Sequence, residues 1–396
     1  MRCSINKAVA LLGSATPSVE SYYNALSGKY TLVELPERID NAKMPKIEII
    51  DMRKKRKEKL AFGSFSDELR SKIDERLARK EGIILLRNRR GFSTYLQCSE
   101  CGATEMCVNC DVALTFHKRK KHLRCHYCGF VKEPPVRCQK CGSDKLQYGG
   151  TGTQKIEEEL GALFPEARIL RMDLDTISTK GAHDRILAQF GNGEADMLMG
   201  TQLVAKGLDF PRVTLVGVVS ADSTLLLLDF RSNERTFQLL TQVSGRAGRR
   251  GEEGEVIIQV TNSKSDVLSF VSNHDYRSFY ESEIAFRREL NYPPFSRMVV
   301  LEFRGRDFKS TADGAERSAK KIRKSLPVIA VLGPAPAVLS RLYGKFRYQI
   351  IIKLNKQLDR AGKRLEEVLD EIDLELKKQY GNEVSFFPDV DPVSTL

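Results

Sequence analysis

Long apolar runs are missing from this chain. No stretch of its 396 residues approaches the roughly 20 apolar residues that a membrane helix needs. The N-terminal run Ala8-Val-Ala-Leu-Leu12 is too short for the core of a signal peptide. Neither membrane insertion nor export is expected, and the chain is assigned to the cytoplasm, where thiols stay reduced. A G-x-x-x-x-G-K-[ST] phosphate loop is also missing; Gly149-Gly-Thr-Gly-Thr-Gln-Lys155 has the composition of one but the wrong spacing. No DExx metal box stands at a strand end, since Asp67-Glu68 falls in the first turn of an amphipathic helix. Without these two elements the chain is not expected to hydrolyse a nucleoside triphosphate unaided. Internal repeats and low-complexity segments are absent too.

What is present suits two or three globular domains. The apolar share, 41%, is enough to build real cores. Lys and Arg number 64 against 52 Asp and Glu, a net charge of +12. That excess favours a polyanionic partner, with nucleic acid first. The basic run Arg53-Lys-Lys-Arg-Lys57 reads by itself as a solvated loop.

Along the chain, Ala8–Leu12 reads as a buried strand ending at Gly13, with a helix starting near Pro17. Ser66 opens a helix with Leu69, Ile73 and Leu77 on one face. Ile83–Leu86 is a strand. After a cysteine-rich excursion, a helix carries Ile156, Leu160, Leu163 and Phe164 on one side. Strands follow at Ile169–Met172 and Met197–Met199, with a helix at Asp184–Phe190 between them. Val213–Val219 is too apolar to face water on either side. A helix from about Asn233 to Gly248 and the strand Val256–Val260 complete a doubly wound α/β pattern. Beyond about residue 262 the rhythm changes. Pro293-Pro294 marks a join to a smaller α+β unit, with strands near 298–303 and 347–353 and helices near 314–325 and 357–379.

Eight of the nine cysteines form four C-x-x-C pairs: Cys98/Cys101, Cys107/Cys110, Cys125/Cys128 and Cys138/Cys141. Each pair is a knuckle whose tight turn aims two thiolates at one point, and four knuckles supply two tetrahedral Cys₄ zinc sites. Joining the first two pairs leaves five residues between them (102–106), cramped for two returning strands. Joining Cys107/Cys110 with Cys125/Cys128 leaves fourteen (111–124), about the length of a zinc-ribbon hairpin, and Cys98/Cys101 then closes with Cys138/Cys141 around it. His117, His122 and His126 are rival ligands, but eight thiolates already fill both sites. Lys118–Lys121 and Arg124 lie in the inner hairpin, able to face DNA phosphates or a protein partner. Cys3 has no readable role.

Four other segments are candidates for chemistry or binding. In the helix containing Gln242-Val-Ser-Gly-Arg246-Ala-Gly-Arg249, residues Phe237, Leu240, Val243 and Ala247 share one face at about 100° per residue. Gln242, Arg246 and Arg249 fall together on the other, an arrangement that suits a polyphosphate. Gly200–Pro211 follows a strand and so leaves the carboxyl end of a parallel sheet, where ligands bind. There Gly207 allows close backbone approach and Lys206 offers a phosphate contact. Asp209 is able to accept a ribose hydroxyl or to order the arginine helix. Gly13–Ser18 is a strand-to-helix junction that either couples a nucleotide site to a nucleic-acid track or is merely an N-cap. Arg341-Leu-Tyr-Gly-Lys-Phe-Arg-Tyr348 interleaves basic and aromatic residues, as in base-stacking surfaces or in an ordinary hairpin burying Phe346 and Tyr348.

The first three of these, taken in chain order (13–18, 200–211 and 242–249), resemble the later motifs of superfamily 2 helicases. With LLRNRRG at 85–91, GGTGTQKIEEEL at 149–160, ADSTLLLLDFRSNERTFQLLTQVSGRAGR at 221–249 and YPPFSR at 292–297, the chain resembles the primosomal protein N′ (PriA) family of replication restart helicases. The resemblance supports the nested cysteine pairing. It implies the tail of a first helicase lobe over 1–30 and a linker and start of a RecA-like second lobe over 31–97. The zinc insert would then occupy 98–141, the rest of the lobe 142–262, and a C-terminal α+β domain 263–396. The family's upstream DNA-binding domains and most of its first lobe would be missing.

The implied activity is ATP-dependent 3′-to-5′ unwinding at abandoned replication forks, with ATP and Mg²⁺ in the complete enzyme. Arg246 and Arg249 would reach ATP held by the first lobe, and Gln242 would sense the γ-phosphate. Implied partners are forked and single-stranded DNA, single-stranded DNA-binding protein, and the primosome and replicative-helicase loading proteins. The competing expectation is a non-enzymatic, zinc-bearing DNA-binding scaffold.

Overall fold

The computed structural model describes residues 2–394 except 36–42, 88–94, 99, 102, 118–120, 126, 150–152, 174–175, 178–180, 206–209, 226–228, 249–252, 262, 356–358 and 360–361. Six parallel strands form the main sheet: β1 (Lys46–Asp51), β2 (Gly82–Arg87), β3 (Ile169–Met172), β4 (Met197–Gly200), β5 (Val213–Ser220) and β6 (Glu255–Val260), in the order β1-β6-β5-β2-β4-β3. Alternate residues of each strand feed opposite faces. In β2, Ile84 and Leu86 enter one core while Ile83 and Leu85 enter the other. A strand buried on both faces has no polar side to show, so its sequence is a continuous apolar run.

Helices α2 (Asp67–Ala78) and α3 (Thr153–Leu163) cover one face, burying Leu69, Ile73, Ile156 and Leu160. The other face is covered by α1 (Val19–Leu26), α4 (Ala182–Gly191), α5 (Ser232–Ser244), α6 (Asp266–Ser272) and α7 (Tyr276–Glu289). The sequence alone assigned 266–289 to the C-terminal unit. In the structure, Val267, Leu268, Val271, Phe279 and Tyr280 belong to the core of the six-stranded sheet, because both helices turn their apolar faces onto it.

The N-terminal run departs from expectation. Val9 and Leu11 are 93% and 92% exposed, and no strand pairs with Ala8–Leu12 among the described residues. An apolar run becomes a strand only where a neighbour takes its backbone hydrogen bonds, and no strand among the described residues does so for this run. Arg53–Lys57 departs too. It is a helical turn, Met52–Lys57, capped by Asp51 accepting from the Arg53 and Lys54 N–H groups.

The C-terminal domain is a four-stranded antiparallel sheet ordered β8-β9-β7-β10, from β7 (Ser296–Gly305), β8 (Ala330–Leu342), β9 (Lys345–Asn355) and β10 (Val384–Val390). Helices α8 (Phe308–Ser325) and α9 (Lys363–Tyr380) pack on it, giving a split β-α-β arrangement. The strands that the sequence did not predict, β8 and β10, carry Pro334, Pro336 and Pro388. Both are edge strands, where proline is tolerated.

Between β2 and α3, a two-stranded stem (Tyr95–Cys98 against Leu146–Gly149) leads to the cysteine module with its small three-stranded sheet. No helix among the described residues is long and apolar enough to cross a membrane.

Candidate functional site

The four knuckles gather into two clusters, Cys98/Cys101/Cys138/Cys141 and Cys107/Cys110/Cys125/Cys128, with the sulfurs of each all within 4.8 Å of one another. Local hydrogen bonds build the knuckles. Cys125 and Cys138 donate N–H groups to the Phe130 and Ser143 carbonyls, and Gly129 and Gly142 donate back to Cys125 and Cys138. Both glycines sit at φ near +75°, which their turns require (+77° and +75°).

A zinc–sulfur distance of about 2.3 Å puts tetrahedral thiolates about 3.8 Å apart. Here Cys98–Cys141 and Cys101–Cys138 are 3.6 Å apart and Cys107–Cys128 3.5 Å. Donor set and spread therefore fit zinc. Burial pushes the Cys107 thiol up to about 12. Burial opposes ionisation of Cys128 as well, yet the Phe130 N–H and the Cys107 and Cys125 thiols bring it down to about 7. In the outer cluster, the N–H groups of Cys141 and Lys140 hold Cys138 at about 7. The Ser143 N–H pulls Cys141 down, but Cys101, burial, Cys98 and Cys138 together hold it at about 12. Four crowded sulfurs cannot all ionise unless a cation sits among them.

The clusters differ in setting. The inner one is buried at Cys107, Cys110 and Cys125 among Leu96, Leu114 and Leu123; the outer one exposes Cys101 and Cys141. His122 lies on a strand of the module and joins neither cluster; His126 and Lys118–Lys120 lie outside the described residues.

The arginine segment corrects the sequence reading. Helix α5 ends at Ser244 with Gly245 as its C-cap, so Gln242 is on the helix and Arg246 on the turn beyond it. Two glycines in four residues end the helix, and Gly248 takes φ +66°. The apolar face does form, with Phe237, Leu240, Val243 and Ala247 buried. Gly248 donates its N–H to Val213 O, which ties the turn to the amino end of β5. Gly254 makes the packing possible, since a Cβ there would meet the Ala247 carbonyl carbon at 2.4 Å. Gln242 is exposed and Arg246 half-buried.

Gly200, by contrast, ends β4 at the carboxyl rim, and Gln202–Ala205 forms a short 3₁₀ turn. The chain returns to the amino rim by Phe210, whose carbonyl accepts from Val213 N–H. The segment therefore spans both rims rather than staying at the carboxyl end. Lys206, Gly207, Asp209 and Arg249 lie outside the described residues.

The Gly13–Ser18 junction is an N-cap with more attached to it. Ser18 accepts from Ser21 N–H, Gln238 of α5 donates to Thr16 O, and Tyr276 donates to Pro17 O. Sequence reasoning missed the tie beneath it. Buried Arg287 donates to Glu234 (2.6 Å) and Glu283 (2.9 Å), and Glu234 accepts from Val19 N–H. The Glu283–Arg287 spacing on α7 was the available signal. Thus α5 carries Arg246 beyond one end and the junction at the other. In the C-terminal domain, Arg341–Tyr348 is the β8–β9 hairpin: Phe346 and Tyr348 are half-buried against Phe308, and Arg347 pairs with Glu302.

A family model described as the primosomal protein N C-terminal domain matches residues 288–393. One described as the PriA DNA helicase Cys-rich region domain matches 107–134, and the helicase conserved C-terminal domain matches 152–251. Replication restart protein PriA of Bacillus subtilis (strain 168) is 42% identical over 374 residues, 93% of this chain and 46% of that protein. The protein of that name from Chlamydia muridarum (strain MoPn / Nigg) is 40% identical over 100% of this chain and 52% of its own length. The chain thus spans about half the length of the curated relatives it matches.

Proposed function

Because this chain belongs to the PriA family of replication restart proteins, we propose that it supplies the second motor lobe, zinc module and C-terminal domain of an ATP-driven DNA helicase. On this reading the motor moves 3′ to 5′ on forked DNA, and single-stranded DNA-binding protein and primosome-loading proteins are its partners. The observation that carries the proposal is the two-ended attachment of α5. One end leads to the Arg246 turn, pinned to the amino rim of β5 by Gly248. The other holds the Thr16–Val19 junction through Glu234 in its first turn, with Gln238 at mid-helix adding a second bond.

An arginine at Arg246, joined by Arg249 and Gln242, would meet the charge that spreads over a transferring phosphoryl group. Force on Arg246 would then pass along a buried helix to the junction. Lys206, Gly207 and Asp209 would line the same nucleotide site, with Mg²⁺ and the phosphate loop supplied by a first lobe. Zinc held by the eight cysteines would cross-link the module, and its role there is structural.

In a protein with both lobes, Arg246→Ala and Arg249→Ala should each lower DNA-stimulated ATP turnover by about 10³-fold or more, with fork binding kept. A DNA-stimulated ATPase assay beside a binding titration tests this; near-normal turnover removes that arginine from the nucleotide site. The scaffold reading draws on the exposed basic turn Arg53–Lys57. Salt-sensitive binding of single-stranded DNA by this chain without ATP turnover fits both readings. Failure of a first lobe, added in trans, to restore turnover would favour the scaffold.

A further inference from the structure

The inner cysteine cluster is not finished by its own module. The β8–β9 hairpin tip of the C-terminal domain sits on the Cys107–Cys110 knuckle. Tyr343 N–H reaches Cys110 Sγ at 3.3 Å, and Gly344 N–H donates to Asn109 O at 2.7 Å. Asp111 N–H donates back to Arg341 O at 3.0 Å, and Ser340 bonds the Asp111 carboxylate. Leu342 enters the module's small core.

Turn geometry explains why this tip can dock. Tyr343 and Gly344 are the two central residues of a two-residue turn, at φ +52° and +75°. In such a turn the central N–H groups point away from the ladder and need an outside acceptor. A tyrosine at positive φ costs about 1–2 kcal/mol, yet Tyr343 is 64% exposed and belongs to no core cluster. What the position delivers is its backbone N–H. The outer cluster draws its N–H donors from its own knuckles: Cys101 and Glu100 to Cys98, and Cys141 and Lys140 to Cys138.

We propose that the hairpin tip is the outer hydrogen-bonding shell of the inner metal site, so that metal there and docking of the C-terminal domain stabilise each other. This rests on the reading that the inner cluster holds zinc. An N–H directed at a thiolate stabilises its negative charge, and such outer partners are worth about 10–100-fold in metal affinity. By linkage, whatever strengthens metal binding strengthens docking by the same factor.

The test uses the full chain. Metal content is measured first, and two zinc ions are expected; fewer, with Cys110→Ser leaving the content unchanged, would remove the zinc reading itself. Zinc release to a colorimetric chelator is then followed with time. Two phases are expected, the slow one from the inner site. Tyr343→Pro, which lacks the N–H and whose ring, fixing φ near −65°, also opens the positive-φ turn, should speed the slow phase about tenfold and leave the fast one alone. Tyr343→Gly, which keeps the N–H, should not speed it.

Should Tyr343→Pro misfold, Ser340→Ala with Leu342→Ala loosens the docking without touching a cysteine, and it should act in the same direction. Hydrogen exchange supplies the reciprocal readout. Chelation should expose the Tyr343 and Gly344 amides while the β8–β9 ladder stays protected. Two zinc ions with release rates unchanged by these variants, or tip amides indifferent to chelation, would overturn the latch and leave the zinc reading standing.

Discussion

The six-stranded lobe and the cysteine module are stabilised in opposite ways. The lobe packs helices on both faces of its sheet, with Phe190, Phe237 and Phe279 among its fully buried side chains. Among the described residues, the module's apolar cluster holds six buried residues, three leucines and three cysteines. A core that small does not offset the conformational entropy of ordering its loops. The lobe can therefore stand on apolar burial, and on the zinc reading proposed above the module depends on the metal its cysteines would hold.

The sharpest way to break this comparison is to remove the metal. Structural zinc contributes roughly 10 kcal/mol to folding of small domains. Chelation should therefore open residues 98–141 to protease while the lobe resists and far-UV circular dichroism changes little. Loss of the sheet on chelation would show that the two regions are not independent.

A change inside the lobe should do the reverse. Arg287→Ala leaves Glu234 and Glu283 buried without their cation, which costs about 3–5 kcal/mol. The denaturation midpoint should fall accordingly while zinc content stays the same. An unchanged midpoint would mean that the buried network contributes nothing to the lobe.

The smallest effect is at the edge of the sheet. The Arg168 guanidinium beside Asp196 holds its carboxyl below the usual range, although burial opposes this. A depressed carboxyl stabilises the fold above its unfolded-state value and loses that contribution as pH falls through its folded value. Asp196→Asn should thus cost under about 1 kcal/mol at neutral pH, and the gap should close as pH drops below about 4. Thermal melts at several pH values measure it; a gap that persists in acid would rule out the charge as its source.

The two regions were legible for different reasons. Ile83–Leu86 and Val213–Val219 announce central parallel strands because both faces are buried. The knuckles announce themselves because a two-residue gap dictates where both sulfurs point, and the intervals between them separate the inner group from the outer. Three edge strands were hidden, since β1 reads Lys-Ile-Glu-Ile-Ile-Asp and β8 and β10 contain proline; the edge strand β3 was read because Ile169–Met172 is a short apolar run. Ala8–Leu12 misled because an apolar run states a preference for burial without naming what covers it. Arg246 was misplaced because a helical period was carried through Gly245. The docking of Tyr343 on Cys110 left no trace in the sequence, since a backbone N–H has no residue signature.

That docking changes what kind of object the chain is. The stem joins the lobe to the module, and the hairpin tip joins the module to the C-terminal domain. The circuit returns to the lobe through the stacked rings of Phe230 and Tyr292 and the bonds from Arg231 to Pro392 O and from Ser394 to Asp229. Three bodies joined in a ring cannot swing as three beads on a string do. A displacement at one joint must be shared by the other two, and only when a joint opens does the assembly become a chain with free ends. The weakest of the three joints therefore sets how far any one part can move.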